Sequence, residues 1–165
     1  MADTTQSGFK AEGGCACGDV RYRMNREPLI VHCCHCRWCQ RETGTSFALN
    51  AVLESKELQL LEGQPERIET PSESGKGQAI IRCPHCRVAL WSHYAGAGDK
   101  SSMVRVGTLD EPDLLPPDIH IFTESKQAWV DIPEGVPSFE QYYDPRELWP
   151  AKSQERFLAM KKADS

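Results

Sequence analysis

Asp19 to Met24 alternates apolar and polar side chains with period two, as a strand with one buried face does, and short apolar runs bounded by turn residues recur along the rest of the chain. The pattern predicts strands over Asp19–Met24, Leu29–Cys33, Thr45–Leu53, Gln78–Arg82, Val88–Tyr94, Ser102–Gly107 and Ile119–Thr123. Gly63 and Pro65 punctuate a hairpin-like return through Arg67-Ile68-Glu69, and Ser72 to Gly77 reads as a loop. Helix is confined to a short turn after Cys36, a turn near Pro137 to Tyr143, and a stretch from about Pro150 to Lys162. Tyr22, Trp91, Phe122 and Trp129 lie on strand patterns and are expected in the core.

With seven or eight short strands and few helices, the expected fold is mainly β. The 165 residues suit one domain over 1–165, its core over about 8–143 and a C-terminal helical extension over about 150–162. Met1 to Ser7 is polar and expected to fray. Twelve Gly and eleven Pro fit a chain rich in turns. The formal charge of -5 argues against a nucleic-acid partner, since phosphate binders present a basic face. No window is apolar enough for a membrane span, and the first ten residues lack a secretory core, so a cytoplasmic protein is expected.

Eight cysteines in such a chain read as metal ligands rather than disulfides, because the cytosol keeps thiols reduced. They fall in three clusters: Cys15-Ala16-Cys17, Cys33-Cys34-His35-Cys36-Arg37-Trp38-Cys39 and Cys83-Pro84-His85-Cys86. A C-x-x-C turn supplies half of a tetrahedral zinc site. Gly13, Gly14 and Gly18 let the backbone wrap closely enough for Cys15 and Cys17 to share an ion, and pairing them with Cys83 and Cys86 closes a four-cysteine site.

In the central cluster, a helical turn from Cys36 puts Cys36 and Cys39 on one face, and Cys34 approaches from the preceding strand. Adjacent strand residues point to opposite faces, so Cys33 and Cys34 are not expected to bind one ion. Spacing leaves two readings open. Either Cys33 or a histidine completes a second structural site, or three thiolates leave a zinc position open for chemistry. His35 and His85 compete with neighbouring thiolates, His120 is a reserve ligand or proton carrier, and Trp38 is placed to shield the metal.

Three segments carry a specific resemblance: Gly13-Gly14-Cys15-Ala16-Cys17-Gly18-Asp19-Val20-Arg21-Tyr22, Cys34-His35-Cys36-Arg37-Trp38-Cys39-Gln40-Arg41-Glu42-Thr43-Gly44, and Cys83-Pro84-His85-Cys86. With Val104 to Asp110, His120-Ile121-Phe122 and Ser125 to Trp129, the chain resembles the glutathione-dependent formaldehyde-activating enzymes, which share their domain with centromere protein V. The resemblance implies several small coiled antiparallel β-sheets around a structural zinc. It implies Cys15, Cys17, Cys83 and Cys86 as the ligands of that zinc, and Cys34, Cys36 and Cys39 as those of a catalytic zinc expected to be partly empty. It further implies a carbon–sulfur lyase that joins glutathione or another small thiol to formaldehyde or a related aldehyde. Glutathione carries two carboxylates, for which Arg37 and Arg41 are candidate contacts. The resemblance leaves homo-oligomerisation open, and the rival is a zinc-stabilised module that binds a protein or nucleic acid. Arg87 stands where the family commonly has glycine, and Cys33 is an extra thiol.

Overall fold

The computed structural model describes residues 8–163, so the expected fraying of Met1 to Ser7 lies outside the described residues. Strands β1 (Ala11–Gly14), β2 (Arg21–Met24) and β3 (Ile30–Cys34) lead into helix α1 (Arg37–Thr43). Then come β4 (Ala48–Glu54), β5 (Leu58–Glu62), β6 (Glu66–Thr70), β7 (Gln78–Arg82), β8 (Ala89–Tyr94), β9 (Ser101–Arg105) and β10 (Ile119–Ile121). Helices α2 (Pro145–Leu148) and α3 (Ala151–Lys162) close the chain. The fold is mainly β, as the sequence pattern predicts.

The strands form two sheets, one of order β1-β2-β5 and one of order β10-β3-β4-β9-β8-β7-β6. Every pairing between them is antiparallel except that of β10 with β3. Cross-strand partners share a face, so the register Cys34↔Ala48, Asn50↔Arg105, Val52↔Met103 defines one face of the large sheet, and Val31↔Ala51↔Val104 the other. Each face carries its own core. Val31, Ala51, Leu53 and Val104 pack with Tyr22, Met24, Leu90 and Trp91 toward the small sheet. Ile30, Cys34, Ala48 and Val52 pack with Cys36, Cys39, Tyr143 and Trp149 on the opposite side.

Two strands escape that pattern. Strand β1 is not among the predicted strands, and its Gly13 is there because a side chain would collide: a Cβ on Gly13 would lie 2.5 Å from the Thr108 carbonyl and 2.7 Å from the Tyr22 hydroxyl. Strand β5 is largely exposed and pairs only with β2, so it shows little apolar alternation. The expected hairpin at Gly63 is corrected as well. Strands β5 and β6 belong to different sheets, and Gly63 (φ 84) passes so close to β2 that a Cβ would meet the Asp19 carbonyl at 2.3 Å.

The expected turn at Pro137 to Tyr143 is extended chain, since its backbone bonds to β10 through His120 N to Pro137 O and Phe139 N to His120 O. The helical turn lies further on, in α2, where Asp144 caps the Arg146 amide. Trp129 is 72% exposed and not in the core, its indole donating to Gln127 Oε1 at 2.7 Å. Phe122 adopts φ 56 just beyond β10, which ends that strand earlier than the apolar pattern suggests. Helix α3 docks through the buried pair of Arg156 and Glu54, Nε to Oε1 2.8 Å, and through Phe157 edge-on to Trp149.

Candidate metal centres

Cys15 and Cys17 sit in the turn between β1 and β2, which closes through Cys15 N to Val20 O (3.1 Å) with Gly18 at φ 82. Cys83 and Cys86 sit in the turn between β7 and β8, closed by Cys83 N to Val88 O and Arg87 N to Cys83 O, both 3.1 Å. The two turns meet. Cys15 Sγ lies 3.5 Å from Cys17 Sγ, and Cys17 Sγ lies 3.7 Å from Cys83 Sγ. All four sulfurs fall within 4.8 Å of one another. Sulfurs about 2.3 Å from a shared tetrahedral ion lie about 3.8 Å apart, so the spacing suits zinc and is far too long for a disulfide. Arg87, in the usual glycine position, takes φ 65.

Cys34 ends β3, Cys36 caps α1, and Cys39 lies in the first turn of that helix, where its amide donates to Cys36 Sγ at 3.3 Å. These three sulfurs also fall within 4.8 Å of one another, and all are buried. Trp38 packs against the same cluster of side chains. Their ionisation exposes what the donor set requires. Contact with Cys34 and then Cys39 pulls the Cys36 thiol down to about 3. For Cys39 the pull of Cys34 is outweighed by Cys36 and by burial, which push it up to about 12. Cys34 is pushed up strongly by Cys36, by Cys39 and by burial. Packed and buried together, these thiols oppose one another's ionisation, so all three become thiolates only if a cation joins them, and a divalent soft-ligand metal such as zinc is the group they fit.

The turn that presents this trio is fixed from behind. Gln40 donates to the His35 carbonyl at 2.8 Å and to the Ser125 carbonyl at 2.9 Å, and Ser125 Oγ donates to the His35 carbonyl at 3.0 Å. Neither Gln40 nor Ser125 is singled out by sequence reasoning, because the 85 residues between them hide their contact.

Cys33 faces away from Cys34. It groups with His35 and His120, at 3.6 Å from His35 Nε2, and His35 Nε2 lies 2.9 Å from His120 Nδ1. The rings are 5.2 Å apart and near coplanar, so these nitrogens point at one another as in an N–H···N hydrogen bond rather than converging on a third atom. His120 is thus on the opposite side of the sheet from the trio it was a reserve ligand for. His85 is exposed, 3.5 Å from Asp19.

Next to Ala48, which pairs with Cys34, lies a cavity of about 750 Å³ that none of the three sulfurs lines; its walls include Glu42 and Thr43 at the end of α1, and Arg82, Arg87 and Arg105. On the other flank of α1, Arg37 and Arg41 line a shallow recess with Gln40 and Trp129. Both arginines are exposed, and Arg37 Nη1 donates to Gln40 Oε1 at 2.6 Å.

The sequence pattern described as glutathione-dependent formaldehyde-activating enzyme matches residues 10–125. The chain belongs to that family. A Halomonas elongata protein named "Putative glutathione-dependent formaldehyde-activating enzyme" is 26% identical over 126 residues, 73% of this chain and 80% of the relative. A Rhodobacter sphaeroides protein of known crystal structure is 18% identical, with a TM-score of 0.46 over 64% of this chain and 96% of its own. The family match contains all eight cysteines, together with Gln40, Ser125 and His120.

Proposed function

We propose that this chain is a zinc-dependent carbon–sulfur lyase that forms or cleaves S-hydroxymethylglutathione or a closely related thiol–aldehyde adduct. The observation that carries the proposal is the buried trio of Cys34, Cys36 and Cys39, three sulfurs with no fourth ligand grouped with them among the described residues; a cavity of substrate size opens one strand pairing away, at Ala48. Zinc bound there would supply a Lewis acid with one open position, which favours a substrate sulfur as thiolate at neutral pH. A tetrahedral zinc closed by four cysteines, as Cys15, Cys17, Cys83 and Cys86 would make, offers no such position.

In the forward direction the glutathione sulfur attacks the formaldehyde carbon. One carbon–sulfur bond forms, the carbonyl π pair moves to oxygen, and the thiol proton ends on that oxygen. No redox partner is needed. The roles of the protein are to hold the trio rigid through Gln40 and Ser125, and to fix the tripeptide, with Arg37 and Arg41 as cations at the outer recess. Partial occupancy of the second zinc in isolated protein follows from the smaller number of ligands.

Cobalt substitution tests the proposal, because the thiolate-to-cobalt band reports the number of bound sulfurs. Glutathione should strengthen that band in the wild type and leave Cys36→Ser unchanged. A wild-type spectrum that is already four-sulfur at both ions and indifferent to glutathione would make the protein a zinc-stabilised binding module instead.

A further inference from the structure

Arg105 ends β9 at the wall of the large cavity and is 7% exposed. Its Nη1 donates to Asn50 Oδ1, its cross-strand partner, and its Nε is buried without a partner. The other two arginines of the cavity are each matched to a carboxylate, Arg82 to Glu42 and Arg87 to Glu66. Arg105 has only a neutral amide. A guanidinium this far from water normally needs an anion, since a desolvated charge without one costs several kcal/mol.

The surroundings show where that anion would come from. Cys34↔Ala48 and Asn50↔Arg105 lie on one face of the large sheet, two positions apart along β4, so Arg105 opens toward the side that carries the sulfur trio. Arg82 lines the same cavity, and burial and then Arg105 lower its guanidinium. Phe47, Leu49, Val88 and Leu115 provide apolar wall. The cavity has three arginines against two acids, Glu42 and Asp113, and Glu42 is already committed to Arg82.

We infer that Arg105 is the carboxylate-binding residue of the substrate cavity, gripping one carboxylate of the thiol substrate through the part of its guanidinium that lines the cavity while Asn50 holds the other side of the fork. The inference rests on the proposed thiol chemistry for its ligand, but its test does not depend on metal chemistry. Two nitrogens of one guanidinium can meet both oxygens of a carboxylate, which a lysine cannot do.

The probe is S-methylglutathione, which keeps both carboxylates and cannot supply a thiolate, titrated calorimetrically into zinc-loaded protein. Arg105→Gln should weaken its binding on the order of tenfold to a hundredfold, and Arg105→Lys should restore only part of the loss. The diester of the same probe, which loses both carboxylates, should bind the unaltered wild type at least roughly tenfold more weakly than the acid does, a comparison that requires no variant to fold. Equal binding of acid and diester would overturn the inference. So would an Arg105→Gln protein that loses zinc while binding the probe normally, since Arg105 would then be a counter-charge to the thiolates. A cobalt band indifferent to glutathione, with probe binding that still depends on Arg105, would refute the lyase reading and leave the carboxylate site standing.

Discussion

The two sulfur clusters differ in how far apart their members lie along the chain. Cys34, Cys36 and Cys39 come from one strand end and the helix that follows, so a metal there joins residues the local backbone already holds together. Cys15 and Cys17 meet Cys83 across 66 residues or more, and an ion there ties the β1–β2 turn to the β7–β8 turn and so one sheet to the other. A metal in the long-range cluster would therefore contribute its binding energy to folding, while one in the local cluster could change its ligands without unlinking the fold. On the proposed reading, stability and chemistry would be separated between these two clusters.

The largest effect should come from breaking that division at its strong end. Cys83→Ser is expected to give unfolded or insoluble protein, whereas Cys36→Ser should stay folded and lose about one zinc per chain by metal count. A soluble Cys83→Ser protein with unchanged zinc would abolish the contrast. Next in size is Arg156→Met, which tests whether ordinary side-chain contacts hold the cover over the trio. It leaves Glu54 buried and unpaired, and should cost about 3 kcal/mol in urea unfolding without changing the zinc count.

The pH dependence of that cost has a definite sign. Burial alone would raise the Glu54 carboxyl, but Arg156 outweighs it and holds the group below its ordinary value. The pair's contribution is therefore full above about pH 4.3 and is lost as pH falls through the lower folded value, so wild type and variant should converge in acid.

Smaller is the strain at Arg87, where φ 65 belongs to glycine. Arg87→Gly removes an exposed ion pair with Glu66 worth little, and should stabilise the protein by about 1 kcal/mol at the four-cysteine turn. The smallest effect is expected from Cys33→Ala, about 1 kcal/mol or less in stability with both metal sites unchanged. If that substitution emptied the three-cysteine site, Cys33 would belong to it and the site would be closed.

Much of this arrangement is legible in the sequence because it is local. A short apolar run entering Cys83 yields β7 to the residue, and the Cys-x-x-Cys turn with the glycine-flanked Cys-x-Cys leads to the four sulfurs that the structure brings together. What escapes is set by register and by long-range contact. Strand β1 is not among the predicted strands, and only Tyr22 and Thr108, pressing on Gly13, show why glycine stands there. Trp129 sits in an apolar run yet extends into solvent, because the chain there follows turns rather than a sheet. Arg105 reads as one of many surface charges, and only its pairing with Asn50 across β4 and β9 reveals it as buried.

The cross-link between the two turns also bears on the protein's life in the cell. Until Cys83 and Cys86 have left the ribosome, Cys15 and Cys17 have half a binding site, and the small sheet would lack any metal tie to the large one. Closing a loop of that length is an entropic cost that the ion must offset in a single step. A zinc-starved cell would then accumulate little inactive folded protein. It would instead hold open chains with exposed strand edges, which proteases clear, so that abundance rather than specific activity follows the zinc supply.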